Sequence, residues 1–103
     1  MRWGHLTLMR EYRKPIIVVE TAYNWKPGNY LNRPAPFPES PEGQREFFDE
    51  VNRAVMQTPD GLGAGVFWWE PAVRGPLSIR GVFDDQNNAL PVVTVFDRFT
   101  RGK

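Results

Sequence analysis

Two apolar runs in this chain each end in a glutamate placed where a carboxylate could do chemistry. Pro15-Ile16-Ile17-Val18-Val19 is followed at once by Glu20, then by Thr21-Ala22-Tyr23. Gly63-Ala64-Gly65-Val66-Phe67-Trp68-Trp69 is followed at once by Glu70 and Pro71. Runs that are apolar on both faces suit strands buried on both sides, as in a parallel sheet. In parallel α/β architectures, ligands and catalytic groups gather at the C-terminal ends of the strands. Adjacent strands lie about 4.8 Å apart, so two such carboxylates can approach the roughly 5–5.5 Å that separates nucleophile and acid/base in retaining glycoside hydrolysis. Glu20 reads either as a catalytic group of this kind or as a carboxylate held by a neighbouring arginine or by backbone N–H groups. The four tryptophans offer flat apolar faces for stacking on pyranose rings, or simply large side chains for a core.

Other chemistries find little support. His5 is the single histidine and reads as a helix residue, which argues against a His-based metal site or triad; cysteine is absent, which excludes thiolate catalysis and cysteine metal sites. Asp84, Asp85 and Asn87 have the composition of a calcium loop, but equally that of a turn. Ser40 and Ser78 have no local His/Asp partnership, and Gly61, Gly63 and Gly65 do not lead into a helix as a phosphate loop would. No metal and no cofactor is assigned.

The elements that must carry the glutamates follow from pattern. Leu6, Met9 and Tyr12 recur at three-residue spacing, so Trp3 to Arg13 reads as the end of an amphipathic helix, broken at Lys14-Pro15. Trp25 to Pro38 is a long proline-rich loop, kept ordered by Trp25, Tyr30 and Phe37. Ser40-Pro41-Glu42 starts a helix, with Phe47, Phe48, Val51, Ala54 and Val55 as its apolar stripe and an end near Thr58. Strand, helix and strand make a βαβ unit, with a parallel pair and a right-handed crossover. Asp84 to Asn88 is a turn. In the tail from Ala89 to Phe99 the valines favour a strand, while Pro91 followed by Phe96 and Phe99 favours a short helix, the reading adopted here.

The chain has 103 residues, enough for one small domain with a modest core. A net charge of +1 gives no electrostatic case for nucleic acid or an anionic membrane. No apolar run approaches the ~20 residues of a membrane helix, and no signal peptide is visible. No compartment is assigned.

KPIIVVETAYNW, PFPESPEGQREFFDEV, TPDGLGAGVFWWEPAV and FDDQNNALPVVTVFDRF, in that order from Lys14 to Phe99, resemble glycoside hydrolase family 53, the endo-β-1,4-galactanases acting on arabinogalactan. The resemblance implies a (β/α)8 TIM barrel and a retaining mechanism. It makes residues 1–103 a single partial domain at the C-terminal portion of that barrel, from the end of helix six through strand eight and the final helix, with a parallel βαβ core. Glu20 then falls on the catalytic nucleophile and Trp69 on the sugar platform of the reactive subsite. Tyr23 and Trp25 fall beside the nucleophile, in reach of substrate. Glu70 becomes an orienting or structural residue rather than the acid/base. The family's acid/base follows an asparagine, and no Asn-Glu pair occurs in this chain. A barrel needs ~250 residues, so these residues cannot close one. The expectation is a galactanase fragment, inactive alone, whose partner is galactan or arabinogalactan and whose relatives are secreted. The alternatives are a non-catalytic carbohydrate-binding piece and a partial barrel that self-associates through its exposed sheet edges.

Overall fold

Ile16–Thr21 forms strand β1 and Gly63–Trp68 forms strand β2, and the two pair in parallel in a computed structural model that describes residues 13–28 and 34–99. The helix expected from Trp3, His5 within it, and the loop residues Asn29, Tyr30 and Asn32 lie outside those residues. Helix α1 (Pro41–Met56) links the strands, so the expected βαβ order is present. Trp69, read from sequence as part of the second strand, lies just past its end.

Pairing runs from Ile16 opposite Gly63 through Val18 opposite Val66 to Thr21 opposite Trp68. Between the last two pairs β1 carries one residue more than β2, so the ladder is irregular at Val19 and Glu20. An extra residue of this kind bends a strand and re-aims its side chains, and such features collect beside active sites.

The ends of α1 are set locally. Ser40 has extended backbone and its Oγ accepts the Gly43 N–H at 3.0 Å, while Pro41 occupies the first turn. At the other end the Thr58 hydroxyl donates to the Ala54 carbonyl and Pro59 ends the run. Phe48, Val51 and Val55 are buried on one face. They pack with Tyr23, Trp68, Val82, Leu90, Val92 and Val95 into one core, in which the Phe48 and Trp68 rings meet edge to face at 5.0 Å. Pro91–Thr94 is a tight 3₁₀ turn running into the short helix α2 (Val95–Arg98), so the tail is helical as read.

The expected burial of β1 on both faces is not met in this chain. Ile17 is 50 % and Val19 68 % exposed, and Phe67 beside them is 61 % exposed. Burial on both faces requires strands on either side and a covering layer. Among the described residues the sheet has two strands, and α1 with the tail covers one face.

Strand β2 enters tightly against the helix. A Cβ on Gly63 would stand 1.7 Å from the Val55 carbonyl oxygen, which is backbone and cannot swing aside. Gly63→Ala is therefore expected to cost about 1–3 kcal/mol of stability, read as a lower urea midpoint. An unchanged midpoint would show that β2 can shift away freely.

Candidate active site

Past the C-terminal ends of the strands lies a cleft of about 330 Å³ lined by Glu20, Thr21, Ala22, Tyr23, Asn24, Trp69 and Arg80. Glu20 reaches it from the irregular end of β1, and its carboxylate is exposed. Trp69 reaches it from the residue after β2, whose N–H donates to the Thr21 carbonyl at 2.8 Å and extends the ladder by one bond. The sheet thus brings the carboxylate and the indole to one cleft at the ends of neighbouring strands. Arg80 ends the 3₁₀ turn Gly75–Arg80, and its carbonyl accepts the Trp68 indole N–H at 2.9 Å.

The other residues singled out from sequence are placed differently. Tyr23 belongs to the lining, yet the residue is 2 % exposed. Its ring stacks on Phe47 at 4.6 Å, and its hydroxyl both donates to the Phe37 carbonyl and accepts the Phe37 N–H. Tyr23 therefore ties the long loop to the core. Trp25 lies outside the lining. Its indole N–H donates to the Ser78 carbonyl and its backbone N–H to the Ile79 carbonyl, which fastens the loop to the 75–80 turn. Glu70 is exposed and also outside the lining, and its backbone is left-handed at φ 41°. That conformation is costly for a residue other than glycine, and it turns the chain sharply after Trp69.

Three residues absent from the sequence reading complete the site. Asn24 and Arg80 line the cleft. Gln44 lies beneath it, fully buried on α1, where its Nε2 donates to the carbonyls of Tyr23 at 3.0 Å and Gly81 at 2.8 Å. One side-chain amide thereby joins the segment after β1 to the segment after β2. Gln44 could have been suspected: it precedes Phe48 by one helical turn on the buried stripe, where a polar residue must find partners. Asn24 and Arg80 carry no such signal.

The turn at 84–88 is built by its own aspartate. Asp84 Oδ1 accepts the N–H groups of Gln86 and Asn88, both at 2.9 Å. The Asn88 backbone bond, with that of Gln86, holds the Asp84 carboxyl below its ordinary value of 3.8. A folded-state value depressed in this way favours the turn above the ordinary carboxylate range, and the benefit is lost as pH falls through the lowered value. The amide resonances of Gln86 and Asn88 are expected to titrate together with a midpoint below 3.8; a midpoint at or above it would mean that the bonds are not kept in solution. Among the described residues no three His, Asp or Glu side chains converge as a metal-binding set, and no helix is long and apolar enough to cross a membrane.

A parallel βαβ unit with a carboxylate and an indole on one cleft at the strand ends is compatible with the strand-end sites of α/β barrel enzymes. The sequence profile of glycosyl hydrolase family 53 matches residues 5–96, and the chain belongs to that family. It is 38% identical over 111 aligned positions to the arabinogalactan endo-beta-1,4-galactanase of Cellvibrio japonicus, covering 86% of this chain and 29% of that protein. It is 41% identical over 75 residues to an uncharacterized protein in the bgaB 5' region of Niallia circulans, covering 63% of this chain and 20% of that one. Among solved structures, the GH53 catalytic domain of Ignisphaera aggregans superposes with a TM-score of 0.76 at 24% identity, over 90% of this chain and 32% of that one. A fungal beta-1,4-galactanase superposes with a TM-score of 0.76 at 30% identity, over 92% of this chain and 31% of that one. The chain therefore spans less than a third of the length of the curated relatives it matches.

Proposed function

We propose that this chain is the C-terminal portion of the (β/α)8 barrel of a retaining endo-β-1,4-galactanase and carries its nucleophile, Glu20. The observation that carries the reading is the placement of Glu20 and Trp69 on one cleft at the ends of a parallel pair, in a chain of family 53. In the intact barrel Glu20 attacks the anomeric carbon of a galactosyl unit stacked on Trp69 and forms a glycosyl-enzyme. The acid/base, outside this chain, protonates the departing oxygen and then activates the water that releases the sugar. Among the described residues Glu20 is the one carboxylate in the cleft lining, and the sequence holds no Asn-Glu pair. The isolated chain is therefore inactive, and galactan or arabinogalactan is its polysaccharide partner.

The test is a chimera in which this chain replaces the matching segment of the Cellvibrio japonicus galactanase. Release of galacto-oligosaccharides from β-1,4-galactan supports the reading. A folded chimera without activity removes it. A second reading, self-association of the partial barrel, is favoured by the exposed Ile17, Val19 and Phe67. Sedimentation of the purified chain as a stable monomer would exclude that reading.

A further inference from the structure

We infer that Glu39 locks the Asn24 side chain so that its carbonyl oxygen faces the cleft, making Asn24 a specificity residue that accepts a hydroxyl proton from the bound sugar. The inference rests on the carbohydrate reading of the cleft.

The lock is visible in the bonding. Glu39 Oε2 receives the Asn24 Nδ2–H at 2.5 Å and the Gly28 backbone N–H at 3.2 Å. An ionised carboxylate only accepts, so the group facing it must be the amide nitrogen. The partner therefore decides which way the Asn24 amide points, a choice that geometry alone leaves ambiguous. The nitrogen side is also packed. A Cβ added to Gly28 would stand 2.9 Å from Asn24 Nδ2 and 2.7 Å from Ile79 Cδ1, so no space lies between them.

What remains is the oxygen. Asn24 is 4 % exposed and lines the cleft. Its Oδ1 takes no hydrogen bond from a described residue, and it is not among the sealed polar atoms that lack partners. Among the described residues it is thus an open acceptor at the wall of the cleft, held by a carboxylate that does not itself line it. The guanidinium of Arg80, a residue of the same lining, supplies only donors. A sugar hydroxyl both donates and accepts, so it can satisfy these two groups, whereas a ligand without a hydroxyl there leaves Oδ1 unpaired. Glu39 is a positioning residue in this scheme, and Asn24 makes the contact.

The experiment titrates the purified 103-residue chain with β-1,4-galactotetraose, followed by ¹H–¹⁵N resonances that include the Asn24 side-chain amide. Glu39→Ala removes the acceptor, and Gly28→Ala displaces the amide while leaving the carboxylate itself in place. Both are expected to weaken binding about ten-fold or more and to abolish the slow exchange of the Asn24 amide protons. Glu39→Gln keeps an accepting oxygen at the same place and is expected to restore binding to within about three-fold of wild type. Binding by both alanine variants at the wild-type level overturns the inference, as does a loss in Glu39→Gln as large as that in Glu39→Ala. A wild-type chain that binds no galactotetraose counts against the galactan reading. In that case amide exchange decides the lock: protection lost in Glu39→Ala supports it, and protection unchanged overturns it.

Discussion

Replacing Glu20 by alanine in the galactanase chimera is expected to lower galactan hydrolysis by about 10⁴-fold or more. The physical reason is that, among the described residues, Glu20 is the one carboxylate lining the cleft, and a neutral hydroxyl such as that of Thr21 is a far weaker nucleophile without an adjacent base. The loss should fall on kcat, because the carboxylate acts in the transition state while Trp69 and the polar lining go on binding the sugar. The variant also separates the two carboxylate roles. Alanine leaves a space on the nucleophile's side of the ring that a small anion can fill. Azide should therefore restore turnover and give the α-galactosyl azide, since it attacks from where Glu20 stood. A β-galactosyl azide would make Glu20 the acid/base instead. Glu70→Gln serves as the contrast. Glu70 is exposed and outside the lining, so its loss should cost less than about ten-fold in kcat. A Glu70 effect as large as that of Glu20 would return the active role to the second glutamate.

Gln44→Leu should be the most damaging single substitution for stability, at about 2–5 kcal/mol out of the roughly 5–15 available to a domain. The side chain keeps its bulk, but the carbonyls of Tyr23 and Gly81 lose the amide that satisfies them in a buried place. Part of the loss is offset, because Gln44 Oε1 is itself buried without a hydrogen-bond partner and leucine removes that burden. Gln44→Glu sharpens the test. It preserves shape and replaces a donor by a carboxylate oxygen facing two carbonyls. Burial without a donor raises the folded-state pKa of such a carboxyl, so its deficit is smallest below about pH 4, where the acid is protonated and can donate once. The deficit should grow as pH rises through the carboxylate range. Urea unfolding of both variants between acid and neutral pH would measure this. A Glu variant equally stable across that range would show that Gln44 does not hold the two segments through its donors.

Much of the scaffold was legible because it is local. The start of α1 at Ser40, the break at Pro59 and the turn built by Asp84 depend on hydrogen bonds spanning only a few residues. The two apolar runs, each closed by a glutamate, marked both strands and the edge on which the cleft lies. Residues chosen for aromatic character proved harder to place. Tyr23 and Trp25 follow Glu20 closely along the chain. Their polar atoms are nonetheless committed to Phe37 and Ser78, so they hold the loop. Periodicity reveals which faces of a segment are apolar, but not whether a neighbour covers them, and so the bare face of Ile17 and Val19 was not foreseen.

By itself the sequence determined the order of elements, their caps and the position of Glu20 at a strand end, because alternation, helical spacing and turn chemistry act over short stretches of chain. Only the tertiary structure decided which polar groups meet. Asn24 finds Glu39 15 residues away, and Gln44 reaches Tyr23 across 21 and Gly81 across 37. Those bonds exist because the start of the helix packs against the segments that follow the two strands. A buried amide there must find donors and acceptors wherever packing brings them, and no spacing rule along the chain encodes that meeting.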